Sequence, residues 1–156
     1  MKKKWPLTDE QFFGIGVFRP KTIHNIGTLW RSAYILGAKF IFIVDGKYNH
    51  QTSDTQKAWS KIPFYKYDDI DHMYNSLPHS TQLVGAEMCE NSTPIRTFAH
   101  PARAAYLLGA EDTGLPDFVI ERCHKLVQLP GLTSLNVAVS GSILMYDRIN
   151  KIEIED

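Results

Sequence analysis

Five consecutive apolar residues, Phe40-Ile41-Phe42-Ile43-Val44, follow shortly after a helix-stopping Gly37. A run of this kind, with no polar alternation, reads as a strand covered on both faces, as in parallel sheets flanked by helices. Ala104 to Leu108 repeats the pattern, and Phe13 to Phe18 is a third run rich in β-formers. Thr22 to Leu36 reads as a helix, because Ile26, Leu29, Trp30, Ala33 and Tyr34 fall at i, i+3, i+4, i+7 and i+8. Further along, a short helix is expected near Asp54 to Trp59, a strand at Phe64 to Tyr67 and a helix at Ile70 to Leu77. A strand at Gln82 to Ala86 comes next, then a helix opened by Pro116-Asp117 and running to about Cys123. Lys125 to Leu129 reads as the last strand, and residues 136 to about 151 as the last helix. Strand and helix alternate at short spacing, so the expected class is α/β, with a mainly parallel sheet flanked by helices. No linker, repeat or low-complexity segment interrupts residues 1–156, which are read as one domain. Ligands of such sheets bind beyond the carboxyl ends of the strands. The loops after Ala86, Leu108 and Leu129 are therefore the places to search.

Charge narrows the partners. Lys+Arg and Asp+Glu number 17 each, so the net charge is about zero. A nucleic-acid surface must then be a local patch, or be completed by a second subunit. Lys2-Lys3-Lys4 resembles the start of a signal peptide, but Asp9, Glu10 and Gln11 stand where an apolar stretch belongs. No apolar run approaches the ~20 residues of a membrane span. Cys89 and Cys123 are too few for a disulfide framework and are read as reduced thiols. These features place the chain in the cytoplasm, away from membranes. His72, His79, His100 and His124 show no ligand spacing with either cysteine, so no metal is expected. A G-x-S-x-G elbow is absent, which disfavours a serine hydrolase. Asn91-Ser92-Thr93 is a glycosylation sequon without meaning in the cytosol.

Three segments stand out. In Asn25-Ile26-Gly27-Thr28-Leu29-Trp30-Arg31, the arginine sits roughly 130° from the centre of the apolar face at about 100° per residue, and so points away from the core. Asn25 lies in the first turn of the helix. Taken alone, a solvated arginine and a capping asparagine explain this segment. In Leu108-Gly109-Ala110-Glu111-Asp112-Thr113-Gly114-Leu115, a buried strand opens into a loop bounded by glycines, with two acids between. Gly109 would let a ligand approach the backbone. The loop is neither G-x-G-x-x-G nor a P-loop. Its acids disfavour phosphate and tolerate a cation, although a glycine-capped turn with solvated acids fits equally. In the third segment, Leu129-Pro130-Gly131 breaks a strand, and Ser134 or Asn136 can cap the helix that follows Ser134-Leu135-Asn136-Val137. That helix opens with Ala138, Ser140, Gly141 and Ser142, a small face against which another helix or a ligand can pack closely.

In this order and spacing the chain resembles the SpoU/TrmH family of SPOUT methyltransferases. Asn25, Gly27 and Arg31 match Asn-x-Gly-x-x-x-Arg. Gly109, Glu111, Gly114 and Leu115 match Gly-x-Glu-x-x-Gly-Leu, and residues 134 to 137 match Ser-Leu-Asn-Val. The resemblance covers nearly the whole chain and corresponds to a minimal catalytic domain. It implies a C-terminal trefoil knot, an exception to the rule that chains do not thread. It also implies S-adenosylmethionine as cofactor, a homodimer paired through the knot, and methyl transfer to a ribose 2′-hydroxyl of RNA. The RNA is most often tRNA, with rRNA as the alternative. Arg31 becomes the catalytic candidate, with Asn25 and Glu111 ordering the site around it. Backbone groups near Ala86, Gly109, Leu129 and Leu135 would hold the cofactor, with Ser134 and Asn136 shaping the loop. Lys2 to Lys4, Arg19 and Lys21 are candidates for an RNA track shared between subunits. Two other readings compete. An α/β nucleotide-binding enzyme of different chemistry lacks its phosphate fingerprint here. A non-catalytic RNA-binding relative would not require Arg31, Glu111 and Asn136, all of which are present.

Overall fold

The computed structural model of the chain describes residues 11–21, 23–46, 61–110, 113–131 and 136–152. Along the chain run β1 (Phe12–Phe18), α1 (Ile23–Leu36), β2 (Phe40–Val44), β3 (Phe64–Tyr67), α2 (Ile70–Ser76) and β4 (Gln82–Ala86). After them come β5 (Thr93–Pro94), a 3-10 turn (Ile95–Thr97), β6 (Arg103–Gly109), α3 (Asp117–Ile120), β7 (Lys125–Gln128) and α4 (Val137–Lys151). The helix expected near Asp54 to Trp59 lies outside the described residues. The strands form one sheet in the order β3-β2-β1-β6-β4-β7-β5, and every neighbouring pair in it is parallel, as the unbroken apolar runs require.

Side-chain alternation along the strands builds two cores. Ile15, Val17, Ile41, Ile43, Tyr106 and Leu108 face one way, under Ile26, Leu29, Trp30 and Ala33 of α1 and Val137, Ala138, Leu144 and Met145 of α4. Phe18, Phe40, Phe42, Leu83, Ala105 and Leu107 face the other, under Ile70 and Met73 of α2 and Val119 of α3. The small face of α4 receives a helix at Gly141. A Cβ on Gly141 would lie 2.3 Å from Leu29 Cδ1 of α1, so the glycine lets the two helices touch.

Two boundaries differ from the sequence expectation for tertiary reasons. The helix opened by Pro116 ends at Ile120 instead of about Cys123. His124 leaves it to join the sheet: its N–H donates to the Leu83 carbonyl at 2.8 Å, and its Nδ1 accepts from the Leu83 N–H at 2.8 Å. Residues 93–97 form β5 and the 3-10 turn, which the sequence reading passed over. Two residues, one of them proline, carry no periodicity to read.

At the amino end of the sheet, α4 is clamped by a buried polar network. The Arg148 guanidinium is 4% exposed. It donates through Nη1 to the Pro101 carbonyl (2.6 Å) and the Tyr106 hydroxyl (3.0 Å), and through Nη2 to the carbonyls of Ala102 (2.8 Å) and Phe12 (3.3 Å). The Tyr106 hydroxyl accepts from arginine, so its own proton points to His100 Nδ1 at 2.6 Å. His100 must then carry its proton on Nε2 and donate it to Asp147 Oδ2 at 2.7 Å. Burial pushes the Tyr106 hydroxyl up to about 12, which keeps it a donor. Burial also holds the His100 imidazole below its ordinary pKa, against the opposing pull of Asp147.

The sign of the resulting pH dependence follows. The unfolded chain takes up the histidine proton first, near pH ~6.5. The stabilising contribution is complete above that pH and is lost as pH falls through the lower folded value. Urea titrations of the wild type should therefore show stability declining on acidification from about pH 7.5 to about pH 5.5, with a shallower decline in His100→Gln. Equal slopes would remove His100 from the account.

Candidate active site

The register brings the strand ends level. Phe18 pairs with Val44 on one side and Gly109 on the other, and Ala86 lies opposite both Leu108 and Val127. Strand order reverses between β1 and β6: β1 leads outward to β2 and β3, while β6, β4, β7 and β5 continue in the other direction. Such a switch point opens a crevice between neighbouring loops. Here a small cleft occupies it, lined by Val17, Pro20 and Lys21 at the exit of β1, Asn25 and Ile26 of α1, Ala110 beyond β6, and Val137 of α4.

Asn136 closes one side. Its Oδ1 accepts from the N–H of Ala138 (2.8 Å) and of Val139 (3.4 Å), a side-chain cap on α4. That assignment directs Nδ2 outward, where it donates to Asn25 Oδ1 at 2.9 Å. This hydrogen bond joins the first and third sequence segments across 111 residues of chain. The second segment reaches the same cleft at Ala110.

The glycines of the second segment serve the chain itself. The Gly114 N–H donates to the Ala110 carbonyl at 2.8 Å, and Gly114 takes a φ of 63° that favours glycine. A Cβ on Gly109 would lie 2.4 Å from the Gly114 carbonyl carbon. Gly114 thus fills the side of Gly109 on which a Cβ would stand.

Glu87 was not singled out in the sequence and proves central. It is the first residue beyond β4. Its N–H donates to the Val127 carbonyl at 3.0 Å, Oε2 accepts from the Leu115 N–H at 2.7 Å, and Oε1 accepts from the Met88 N–H at 3.0 Å. One residue therefore ties the exit of β4 to the loop after β6 through its carboxylate and to β7 through its N–H. The available signal was an acid placed directly after a buried strand, at the carboxyl edge of a parallel sheet.

Other sequence candidates are distributed as follows. Ala86 and Leu129 are half-buried at the ends of β4 and β7, with Leu129 packed on the core. Arg31 is exposed on α1 and makes no ion pair among the described residues. Glu111, Ser134 and Leu135 lie outside the described residues. Both cysteines are free thiols, and burial, with Cys89 contributing, pushes the Cys123 thiol up to about 12. Among the described residues no His/Cys/Asp/Glu group could hold a metal ion, and no helix is long and apolar enough to cross a membrane.

Comparison with known proteins bears on this arrangement. The chain is 26% identical over 133 residues to the 23S rRNA (guanosine-2'-O-)-methyltransferase RlmB of Acinetobacter baylyi, covering 80% of this chain and 54% of that protein. It is 22% identical over 132 residues to the mouse (Mus musculus) tRNA (guanosine(18)-2'-O)-methyltransferase, covering 79% of this chain and 8% of that protein. The chain thus spans about half the length of the first of these relatives and a small part of the second. Among solved structures, an AdoMet-bound rRNA methyltransferase from Sinorhizobium meliloti superposes with a TM-score of 0.81 at 22% identity, covering 93% of this chain and 58% of that one. A structure described by its relation to 2-OH methylation of C/U34 on tRNA superposes with a TM-score of 0.79 at 17% identity, covering 94% of each chain. These likenesses establish the shared fold. The family model described as SpoU rRNA Methylase matches residues 13–146, from β1 into α4 and across the cleft joined by Asn25 and Asn136. The chain belongs to the SpoU rRNA methylase family.

Proposed function

We propose that this chain is an S-adenosylmethionine-dependent RNA methyltransferase acting on a ribose 2′-hydroxyl, with tRNA as substrate. The observation that carries this reading is the Asn136–Asn25 hydrogen bond at the strand-order switch. It joins the first and third segments beside the loop of the second. The two relatives described above are named as 2′-O-methyltransferases, one of 23S rRNA and one of tRNA. A tRNA substrate is preferred because the tRNA-methylation structure matches nearly the whole of both chains. Ribosomal RNA is the second reading, supported by the RlmB relative.

The residues at the sheet edge fit this cofactor. Its sulfonium is a cation, and Glu87 brings negative charge to the loop junction. Ala86, Ala110 and Leu129 offer small or apolar walls. Main-chain groups near Ala86, Gly109, Leu129 and Leu135 hold the cofactor on this reading, while Ser134 and Asn136 shape its loop and Asn25 and Glu111 order the site. When bound, the cofactor supplies an already electrophilic methyl group, so the chemistry asks for no metal. The protein's task is mainly to align the reacting groups. Arg31 offers a planar fork of N–H donors. It stabilises the developing alkoxide, or orients the phosphate or water that accepts the hydroxyl proton.

Dimerisation completes the proposal. Val139, Ile143 and Tyr146 form an exposed stripe on α4 at i, i+4 and i+7, and Tyr34 and Ile35 are exposed on the neighbouring α1. Arg31 is on the same side of α1 as Tyr34 and Ile35, at i, i+3 and i+4. A homodimer through this surface, with the C-terminal segment threaded as a trefoil knot, carries each Arg31 toward the partner's cofactor. The setting is the cytoplasm, where RNA substrates and free thiols coexist.

Two measurements test these points. Calorimetric titration should show one S-adenosylmethionine site per chain, weakened about tenfold or more in Glu87→Ala, because two loop N–H groups lose their acceptor. Unchanged affinity would detach Glu87 from the site. Sedimentation should show a wild-type dimer and a monomeric Ile143→Asp variant. A monomeric wild type would refute the shared site. Comparing methyl transfer to tRNA and rRNA fractions separates the two substrate readings.

A further inference from the structure

Arg19 stands at the exit of β1 with a φ of 50°, in the left-handed region that side-chain-bearing residues rarely occupy. Hydrogen bonds enforce it. The Arg19 N–H donates to the Val44 carbonyl at 2.9 Å, and Nε donates to Asp45 Oδ2 at 2.8 Å. Asp45 is also left-handed, with a φ of 52°, and its N–H donates to the Tyr67 carbonyl at 3.0 Å. Strain at two adjacent strand ends thus fixes one exposed guanidinium.

That group is held from one side only. Asp45 takes Nε, while Nη1 and Nη2 have no hydrogen-bond partner among the described residues. The side chain is 55% exposed even so. Beneath it lie two rings, Phe18 with its centroid 4.9 Å from Cζ and Phe118 with its centroid 5.9 Å away. Phe18 is buried, but Phe118 is half-exposed on the short α3. A fork of free N–H donors suits a phosphate, and an exposed ring suits a nucleobase. Arg19 directly precedes Pro20 and Lys21, which line the cleft.

We propose that Arg19 and Phe118 form an RNA-binding subsite, with Nη1 and Nη2 on a backbone phosphate and Phe118 stacked on a base flanking the modified nucleotide. Asp45 is its positioning residue. The inference rests on the RNA-methyltransferase reading and names where that RNA is gripped. The site is compatible with a chain of zero net charge, because it needs one preorganised cation instead of a basic surface.

The test uses the full chain and a fluorescently labelled, unmodified tRNA transcript in anisotropy titrations at several salt concentrations. Arg19→Gly accepts the positive φ without strain, so it removes the side chain while sparing the backbone. It should weaken RNA binding about tenfold and lower the slope of log affinity against log salt by about one. Phe118→Ala should weaken binding by about tenfold with little change in slope. Both should keep wild-type S-adenosylmethionine affinity and melting temperature. Wild-type RNA affinity and salt slope in folded Arg19→Gly and Phe118→Ala would overturn the subsite, as would a wild type that binds no RNA. If the wild type binds RNA but transfers no methyl, and the variants lose that binding, the reaction fails and the subsite stands. If the wild type transfers methyl and the variants keep its KM for RNA, the subsite alone fails.

Discussion

Arg31→Ala is expected to lower methyl transfer by about two to three orders of magnitude, the loss typical of removing one preorganised donor to a developing oxyanion. Stability and cofactor affinity should hardly move. Arg31 is exposed and makes no ion pair among the described residues, so the fold gives up nothing with it. An exposed substitution of this type usually changes stability by within about 0.5 kcal/mol. The measurement is steady-state transfer from labelled S-adenosylmethionine, alongside a calorimetric titration of the cofactor. If the loss were confined to KM for RNA, Arg31 would be an RNA contact and not a catalytic group. If Arg31 serves the partner's site, mixing Arg31→Ala with a cofactor-binding variant such as Glu87→Ala should restore part of the activity through mixed dimers.

The second large effect is on stability. Arg148→Ala should destabilise the fold by about 3–5 kcal/mol, comparable to breaking a buried charged network by removing one member. The reason lies in the donors the substitution removes. The carbonyls of Pro101, Ala102 and Phe12 and the hydroxyl of Tyr106 all accept from this one guanidinium, while Ala102 keeps the Phe12 N–H at 3.0 Å as a second donor and the Tyr106 hydroxyl keeps His100. Each buried acceptor left without a donor costs about 1–3 kcal/mol before the structure relaxes. Against a total stability of about 5–15 kcal/mol, the variant should sit near the edge of folding. Its melting temperature should fall by roughly 6–20 °C for a chain of this size. Tyr106→Phe keeps the guanidinium and should cost only about 1 kcal/mol. Equal losses in the two variants would place the stabilisation in the hydroxyl instead of the arginine.

Local pattern and tertiary contact divided what was legible. The unbroken run Phe40 to Val44 fixes a strand because nothing in it tolerates solvent, and the strand is found at those residues. The spacing of Ile26, Leu29, Trp30 and Ala33 fixes the buried face of α1 for the same reason, and leaves Arg31 outside. The end of α3 was not legible, because His124 leaves the helix to bond Leu83 across the sheet. Asn25 and Asn136 each read as a cap, and Asn136 serves as one. Their mutual bond depends on strand order, which no local pattern encodes. Glu87 was invisible for a related reason: its role is set by the N–H groups of Met88 and Leu115, the second 28 residues away. Gly141 was read correctly as a close-packing position. The neighbour, Leu29 of α1, required the fold.

If the cleft lined by Asn25, Ala110 and Val137 directs a methyl group to ribose, mass spectrometry of nucleosides from unmodified tRNA incubated with the protein and labelled S-adenosylmethionine should show it. The expected result is label in a 2′-O-methylated nucleoside, present with wild type and absent with Arg31→Ala. Label on a base, or none in any RNA despite cofactor binding, would contradict it.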